Sequence, residues 1–389
     1  MNKHHILNSL GLFAASLLFP PIMLFSQGDL TPPGPPEPTQ KSLQEIWDKI
    51  SEVETQNQAL QAKIDDLETA NAESSYFLGE MFQDQLPWAL TTIDTDSDNS
   101  LAFGPDGHPA VAYRANNAVK FAQFDGRDWN ITTVDSDGSI GLEVSLAFGP
   151  DGFPAMSYYE SGQDDLRFAR FDGFDWTVTP VDSVGEVGRY SSLAFDPDGN
   201  PAIAYYDGTG DTLELARFID NNWAIATIDD NTNTGGNPSL AFGPDGHPAI
   251  SYLHWDNRDL HFARFNGVSW IISTIDAVGN TGFFSSLAFG PDEQPAVAFY
   301  DPDDDTLFFA HFNGVTWDIS TVDSNGNPGY NPSLAFTANG QPIVSYHEID
   351  EDDLRIARFD GSEWIVRTVI ATGNVGRPNS LAIGLDGQP

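Results

Sequence analysis

The sequence predicts an all-β protein, a β-propeller of four-stranded blades, and three observations lead to this fold class. A motif recurs at a nearly constant period, each period holds four short strand-like runs, and each carries a tryptophan at the same place. The motif Ser-Leu-Ala-Phe, with isoleucine last in its final copy, is spaced by 45 residues once and then by 47 residues five times. Its copies begin at Ser100, Ser145, Ser192, Ser239, Ser286, Ser333 and Ser380. Such periods mark repeat architectures in which each unit buries its apolar face against its neighbours.

The unit that begins at Ser192 illustrates the predicted strands. Turn residues such as Pro197-Asp198-Gly199 separate its apolar runs, and no run is long enough for a helix. In the second run Ala202 and Ala204 alternate with larger residues, so one face of the sheet admits the close approach of a neighbouring sheet. The four strands are predicted over residues 192–195, 201–206, 213–218 and 223–229.

The repeated tryptophans are predicted to be core residues. Each begins a fourth strand, where a large ring can fill the wedge between adjacent sheets. Parallel β-helices have shorter coils and other solenoids of this period are helical, so a ring of blades is the preferred closure. The residues concerned are Trp129, Trp176, Trp223, Trp270, Trp317 and Trp364.

The two ends of the repeat region predict how the ring closes. Residues 88–94 match a fourth strand, six full units follow, and residues 380–389 begin another unit. We therefore expect six full repeats plus a seventh blade split between the two ends. A chain continuing for about another 25 residues would complete that blade and remove its exposed edges.

The residues before the propeller predict export and self-association. A mildly basic start leads into an apolar run, which is typical of a signal peptide, with an uncleaved anchor as the alternative. Prolines then favour an extended spacer, and apolar residues at alternating steps of three and four predict a short dimeric or trimeric coiled coil. A lone amphipathic helix is the other interpretation. The predicted segments are 1–27 signal peptide, 28–40 linker, 41–74 coiled-coil helix, 75–87 linker and 88–389 propeller.

Charge and cysteine content exclude several classes of function. The chain carries 57 Asp and Glu against 17 Lys and Arg, a net charge of −40, which would repel nucleic acid and anionic membranes. It has no cysteine, so disulfides, thiolate nucleophiles and cysteine-ligated metals are excluded. We expect an extracellular or cell-surface protein with no membrane span after signal cleavage.

The repeat resembles known propeller sequences. The pattern Ser-Leu-Ala-Phe-Gly-Pro-Asp-Gly followed by Phe-Asp-Gly-x-x-Trp is similar to tandem propeller repeats of bacterial secreted proteins, over residues 88–389. It is more distantly similar to propeller lectins, whose third strands also end in Asp-Gly-x-x-Trp. The lectins' ligand residues have no one-to-one matches here, so the resemblance implies the fold and not a sugar site. The stretch 28–43 resembles a leader of exported proteins from planctomycete and verrucomicrobial bacteria, which implies export.

One face of the ring is the predicted binding surface. In a propeller the loops after the second and fourth strands share a face, so aromatic, arginine and histidine side chains in those loops would lie together. Such side chains suit carbohydrate or peptide recognition, and they also suit ordinary packing. The candidate ligand-binding residues are Tyr159, Arg189, Tyr190, Tyr206, His254, Phe283, Tyr300, Tyr330, His347 and Arg377.

Acidic residues in the loops after the second strands are candidate calcium ligands. Asp301, Asp303 and Asp305 offer the hard oxygen atoms that calcium prefers, although their spacing matches no EF-hand and solvated turns explain them equally well. The sequence predicts no cofactor other than this candidate calcium ion. No catalytic residue is predicted: the Asp172-Gly173 pair does not match the Asp box of sialidases, and unlike residues converging at one place are not evident.

The predicted function is therefore binding or scaffolding without catalysis, directed at a glycan or another cell-surface ligand. A polysaccharide-active hydrolase or lyase on a propeller scaffold is the alternative. The sequence leaves open whether the protein is an enzyme, and it favours a protein without catalysis.

Overall fold

The computed structural model describes residues 88–94, 98–136, 140–371, 373 and 375–389, together with Lys49 and Lys63, which are helical. The predicted signal peptide and both linkers lie outside the described residues, as does the predicted coiled coil apart from those two lysines. These assignments stay predictions. In the part of the chain that is described, no helix is long and apolar enough to cross a membrane.

The unit Trp88–Pro389 is a propeller in which the described residues form six antiparallel four-stranded sheets. The first three contain β1 (Asn99–Phe103), β2 (Pro109–Ala115), β3 (Ala118–Phe124), β4 (Trp129–Asp135); β5 (Ile140–Phe148), β6 (Pro154–Glu160), β7 (Asp165–Phe171), β8 (Trp176–Asp182); β9 (Val187–Phe195), β10 (Pro201–Asp207), β11 (Thr212–Ile219), β12 (Asn222–Asp229). The others contain β13 (Thr234–Phe242), β14 (Pro248–His254), β15 (Asp259–Phe265), β16 (Trp270–Asp276); β17 (Ser285–Phe289), β18 (Pro295–Asp301), β19 (Thr306–Phe312), β20 (Trp317–Asp323); β21 (Pro328–Phe336), β22 (Pro342–Glu348), β23 (Asp353–Phe359), β24 (Trp364–Ile370). The predicted all-β propeller of four-stranded blades is confirmed.

The turn between third and fourth strands explains the Phe-Asp-Gly-x-x-Trp pattern. Asp172 Oδ1 accepts hydrogen bonds from the backbone N–H of Phe174 at 2.8 Å and of Asp175 at 2.9 Å. Those hydrogen bonds lower the pKa of Asp172, so the carboxylate is the form that holds the turn. Gly173 has φ of 98°, which a residue with a Cβ adopts at a cost. This aspartate therefore shapes a turn.

The tryptophans fill the wedges between blades, as predicted. Trp176 lies 5.3 Å from Phe121 of the preceding blade and 5.4 Å from Phe171 of its own blade, measured between ring centroids. Trp223 and Phe168 repeat the contact between the next two blades at 5.2 Å. Edge and tilted contacts at these distances stabilise aromatic pairs beyond the burial of their area.

A serine of each repeat ties its blade to the next. The first strand is the inner edge of its sheet, so its outward N–H groups have no partner strand. The N–H of Leu240 instead donates to Ser192 Oγ of the preceding blade at 3.0 Å, and Leu287 N–H donates to Ser239 Oγ at 3.0 Å. The described residues hold the same bond between Ser100 and Leu146, Ser145 and Leu193, Ser286 and Leu334, Ser333 and Leu381, and Ser380 and Leu101.

A second tie joins the second strand of one blade to the end of the fourth strand of the blade before it. Tyr205 Oη donates to Asp182 Oδ2 at 2.7 Å, and the tyrosine is fully buried. Burial raises the pKa of Tyr205, and the neighbouring carboxylate raises it further, so the phenol keeps the proton it donates. Equivalent bonds run from Tyr158 to Asp135, Tyr252 to Asp229 and Tyr346 to Asp323.

The two ends of the propeller meet at the seventh position of the serine ring. Ser380 Oγ accepts from Leu101 N–H at 3.0 Å, and Tyr113 Oη donates to Asp94 Oδ2 at 3.2 Å. Residues 380–383 and 88–94 therefore take the places of a first and a fourth strand, as the split-blade prediction requires. Neither segment is paired in a sheet among the described residues. A continuation that would complete this blade stays a prediction.

We predict that Ser239→Ala lowers the free energy of unfolding by about 1 to 3 kcal/mol, because the buried Leu287 N–H loses its acceptor. Urea denaturation measures the change. Ser273→Ala, on the exposed face of β16, is the matched control, with an expected effect within about 0.5 kcal/mol. Equal effects of the two substitutions would contradict the role of the serine ring.

Candidate functional site

The loops after the second strands and the connections entering the first strands lie on one face, as predicted. Gly208 N–H donates to Glu186 O at 2.8 Å, and Trp255 N–H donates to Asn233 O at 2.8 Å. Each of these bonds joins a second-to-third-strand loop to the segment that enters the same blade. We call this side of the propeller the loop face.

Bulges in the first strands shape the centre of the loop face. The pairing of β9 with β10 shifts register between Ala204 and Tyr206, and β5, β13 and β21 carry the same irregularity. Two residues before the repeat serine the backbone turns left-handed, with φ of 57° at both Glu143 and Tyr190. A bulge re-aims the side chains that it carries.

The side chains that enter at these bulges differ from blade to blade. We call the residues three and two places before each repeat serine the mouth positions, because the first strands of successive blades contact each other at the inner edge of the ring. Among the described residues they are Asp98, Leu142 with Glu143, Arg189 with Tyr190, Gly236 with Asn237, Phe283 with Phe284, Tyr330 with Asn331, and Arg377 with Pro378. The turn aspartates, wedge tryptophans and interblade serines, which we call the framework, recur from blade to blade. The pairs of residues at the mouth positions do not recur.

Trp255 joins two of the predicted residues into one aromatic cluster. Its ring centroid lies 6.5 Å from that of Tyr190 and 5.9 Å from that of Phe283. The indole lies on Gly236, where a Cβ would come within 2.5 Å of it, so only glycine fits below this ring. Sequence reasoning missed Trp255, although it is the one tryptophan after Trp88 that lies off the repeated position.

A second cluster forms around Tyr330, and it contains four of the predicted residues, Tyr330 itself included. The Tyr330 ring lies 6.4 Å from Tyr300 and 6.3 Å from His347, between centroids. Phe284, which was not predicted, approaches the same ring to 4.4 Å. The guanidinium carbon of Arg377 lies 4.5 Å from the ring centroid, in a cation–π contact.

Arg377 is anchored from below by a buried histidine. Its Nε donates to His347 Nδ1 at 3.1 Å, and His347 Nε2 lies 3.4 Å from Asp352 Oδ1. Burial lowers the pKa of His347, and the positive charge of Arg377 lowers it further. The neutral imidazole can therefore accept the hydrogen bond from Arg377.

Arg189 occupies the same repeat position as Arg377 and also lies over a tyrosine. Its guanidinium carbon lies 5.3 Å from the ring centroid of Tyr159, and its Nε lies 2.6 Å from Glu186 Oε1. Burial and a hydrogen bond to Asp164 raise the pKa of Tyr159 to about 12. The predicted pair Arg189 and Tyr159 is therefore brought together.

Two predicted residues are held by other partners. Tyr206 Oη donates to Asp211 Oδ1 at 2.7 Å within its own loop. His254 is buried, with its ring centroid 5.2 Å from that of His261. Burial lowers the pKa of His261, and His254 lowers it further, which favours the neutral imidazole of His261.

Glu143 is a mouth residue that sequence reasoning missed. Burial raises its pKa to about 7, and the nearby charge of Asp98 adds to the rise. A hydrogen bond donated by the backbone N–H of Tyr190 and the charge of Arg189 oppose it. The sequence signal that could have identified it is a glutamate two residues before the repeat serine, a position at which the other blades carry other residue types.

Two of the three calcium candidates, Asp301 and Asp303, accept local hydrogen bonds. Asp301 is buried and its Oδ1 accepts from Asp303 N–H at 2.8 Å, while Asp303 accepts from the side chain of Asn280. Burial raises the pKa of Asp301. Calcium binding here stays a prediction.

A different acidic group converges in the last blade. Carboxylate oxygens of Glu348, Glu351 and Asp353 lie within 4.8 Å of one another. Arg355 Nη2 lies 3.6 Å from Glu348 Oε2 and 3.8 Å from Glu351 Oε2, which supplies the countercharge. Although burial would raise the pKa of Glu348, backbone N–H groups including that of Asn327 and the charge of Arg355 lower it, so Glu348 is a satisfied carboxylate.

Comparisons with known proteins identify the fold alone. No family model matches the chain, and no curated protein matches it. The periplasmic gluconolactonase of Pseudomonas aeruginosa is similar in structure, with a TM-score of 0.50 and 15% identity over 74% of this chain and 88% of that one. A protein of unknown function from Dyadobacter fermentans has a TM-score of 0.48, with 12% identity over 69% of this chain and 92% of that one. Hydrazine synthase of Kuenenia stuttgartiensis has a TM-score of 0.49, with 13% identity over 69% of this chain and 79% of that one.

We predict that the stability of Glu143→Gln relative to the wild type depends on pH. The folded pKa is raised from 4.5 to about 7, so the contribution of the protonated carboxyl to stability is full below pH 4.5 and is lost as the pH rises to about 7. The variant should match the wild type near pH 4.5 and exceed it at pH 8, by up to about 3 kcal/mol. Urea denaturation at the two pH values measures the difference.

Asp172→Asn is the control for this pH dependence. The pKa of Asp172 is lowered from 3.8, so its contribution changes only as the pH falls below that value. Its effect on stability should be the same at pH 5 and pH 8. A stability difference for Glu143→Gln that does not change over the same range would contradict the raised pKa.

Proposed function

We propose that this chain is a secreted or cell-surface binding protein without catalytic activity, which recognises carbohydrate through the mouth positions of the loop face. The observation that supports it most is the contrast between framework and mouth. Residues that repeat are engaged in turns, wedges and interblade bonds, whereas the mouth positions hold aromatic, arginine, amide and carboxyl groups, and no two blades carry the same pair of residues there. Carbohydrate sites combine apolar ring faces with a few placed polar groups, and this mixture suits them.

The aromatic groups around the mouth are supported rigidly. Trp255 is held between Tyr190 and Phe283 over a glycine, and Tyr330 is held between Phe284 and Arg377. Rigid aromatic side chains lose little conformational entropy when a ligand stacks on them. Two such platforms would accommodate separate units of an oligosaccharide.

The predicted coiled coil at 41–74 would raise the overall binding affinity of the protein for a polymeric ligand. A dimer or trimer presents two or three loop faces to one polymer, so weak individual sites add up to avidity.

A polysaccharide-active hydrolase is the second candidate, and Glu143 favours it. Its pKa of about 7 allows it to carry a proton near neutral pH, and Asp98 supplies a second carboxyl group at the adjacent mouth position. One protonated and one ionised carboxyl group are the minimum for acid-catalysed glycoside cleavage. The other described mouth positions hold no acid.

We predict that Trp255→Ala weakens binding to a recognised polysaccharide at least about tenfold, since buried tryptophans at binding sites carry about 2 kcal/mol or more. A glycan array followed by calorimetry on the purified full-length protein measures this. Phe174→Ala is the matched control, because Phe174 is 89% exposed in a turn at the opposite end of the strands. Equal affinity of both variants for every ligand found would contradict the proposal.

The enzyme candidate has its own test. If the chain cleaves polysaccharides, incubation should release reducing ends, and Glu143→Gln should abolish that release while retaining binding, because an amide cannot give up a proton as an acid. Release at the wild-type rate by Glu143→Gln would remove Glu143 as the acid.

A further inference from the structure

The arginines of this acidic chain are mostly neutralised by carboxylates. Arg170 and Arg264 lie 2.5 Å and 2.6 Å from turn aspartates, and Arg217 lies 3.3 Å from Asp196. Arg355 and Arg167 each contact two or more acids. With 57 acidic and 17 basic residues in the sequence, a carboxylate partner is the ordinary situation for an arginine here.

Arg377 departs from this rule. No carboxylate among the described residues lies within ion-pair distance of its guanidinium group, and its side chain is exposed. Its Nε is used by His347, which is itself fully buried, and its plane lies over Tyr330. The two Nη groups make no hydrogen bond to a described residue. They form a fork that is open to solvent, while the contacts with His347 and Tyr330 hold the guanidinium group in place.

Arg189 provides a comparison within the same chain. It occupies the same mouth position and also lies over a tyrosine, but Glu186, three residues earlier, pairs with it at 2.6 Å. The residue three places before Arg377 is Asn374, an amide that carries no charge. The repeat has therefore kept the stacked arginine in two blades and has placed a carboxylate beside only one of them.

We propose that Arg377 binds the carboxylate of a uronic acid unit in an acidic polysaccharide. This inference rests on the proposed carbohydrate-binding function and names its substrate class. A guanidinium fork held in one plane matches the two oxygens of a carboxylate. Phe284, Tyr330 and Tyr300 surround the fork with ring surface against which a sugar ring can pack. A peptide carboxylate offers the same two oxygens, but a chain of sugar units makes better use of two aromatic clusters on one face.

The net charge of the protein does not exclude this ligand. Charges more than about 10 Å away are largely screened at 0.1 M salt, whereas a contact pair at a partly enclosed site is screened much less. The overall negative charge therefore lowers the rate of association with a polyanion more than it weakens the contact itself.

The test compares Arg377→Gln with the wild type on polygalacturonate and on its fully methyl-esterified form, by calorimetry. Loss of a charge-assisted bond should weaken polygalacturonate binding about 10- to 100-fold in Arg377→Gln. The wild type should bind the methyl ester more weakly by a similar factor, and the substitution should then have no further effect on the ester. Arg127→Gln removes the same charge from a side chain that is 90% exposed in a turn at the opposite end of the strands, and should bind like the wild type.

A second variant separates charge from fold. Arg377→Lys keeps the charge and loses the planar fork, so it should bind polygalacturonate with an affinity between those of the wild type and Arg377→Gln. Thermal unfolding of each variant shows whether the blade around His347 is intact.

Other outcomes overturn the inference in distinguishable ways. Equal affinity for the acid and its ester, or binding to neutral glycans alone, would leave carbohydrate binding intact and remove the uronate contact. Binding of peptides through their terminal carboxylate, lost in Arg377→Gln and without binding to polygalacturonate, would replace the saccharide by a peptide. Absence of binding to any saccharide, acidic or neutral, would remove the proposed function and this inference together.

Discussion

The hydrogen bond from a leucine N–H to the serine of the preceding blade is the interaction on which the ring depends. An innermost strand has neighbours on one side only, so every blade brings an unpaired backbone edge to the centre. The bond between Ser192 and Leu240 satisfies part of that edge while fixing the distance between two blades. Because the donor is backbone and the acceptor is a short side chain, the geometry repeats with little variation, and Ser380 and Leu101 make the same bond where the two ends meet.

The repeated residues make the turns and the contacts between blades, so the fold restricts the side chains at most mouth positions only weakly. The bulges of β5, β9, β13 and β21 each place a left-handed residue before the serine, and side chains as different as Glu143, Tyr190 and Asn237 lie there. Functional variation and fold stability therefore occupy different parts of the repeat. A substitution at the mouth changes what the face presents, whereas a substitution at the serine changes the contact between blades.

The fold could be predicted because its residues repeat. The candidate site could be predicted only in part, because several of its residues depart from the repeat. Period and turn residues located all four strands of the unit at Ser192, and Tyr330 and Arg377 were placed on one face and do meet. Trp255 and Glu143 were missed because a search for recurring chemistry passes over residues that occur once. Tyr206 and His254 were predicted for the face, but Asp211 and His261 hold them, and a period alone does not show such partners.

Two glutamates on the loop face show how the number of nearby backbone N–H donors decides whether a carboxyl group has a structural or a chemical role. Burial favours the neutral form of both, yet Glu348 accepts hydrogen bonds from three backbone N–H groups and lies beside Arg355, so its pKa is lowered. Glu143 accepts one such bond, from Tyr190, and has Asp98 nearby, so its pKa is raised to about 7. A carboxylate whose oxygens already accept several backbone hydrogen bonds has a structural role. A carboxyl group with a proton near neutral pH can still donate to a ligand or give the proton up, which is why the chemistry of this face belongs to the mouth and not to the acidic loops around it.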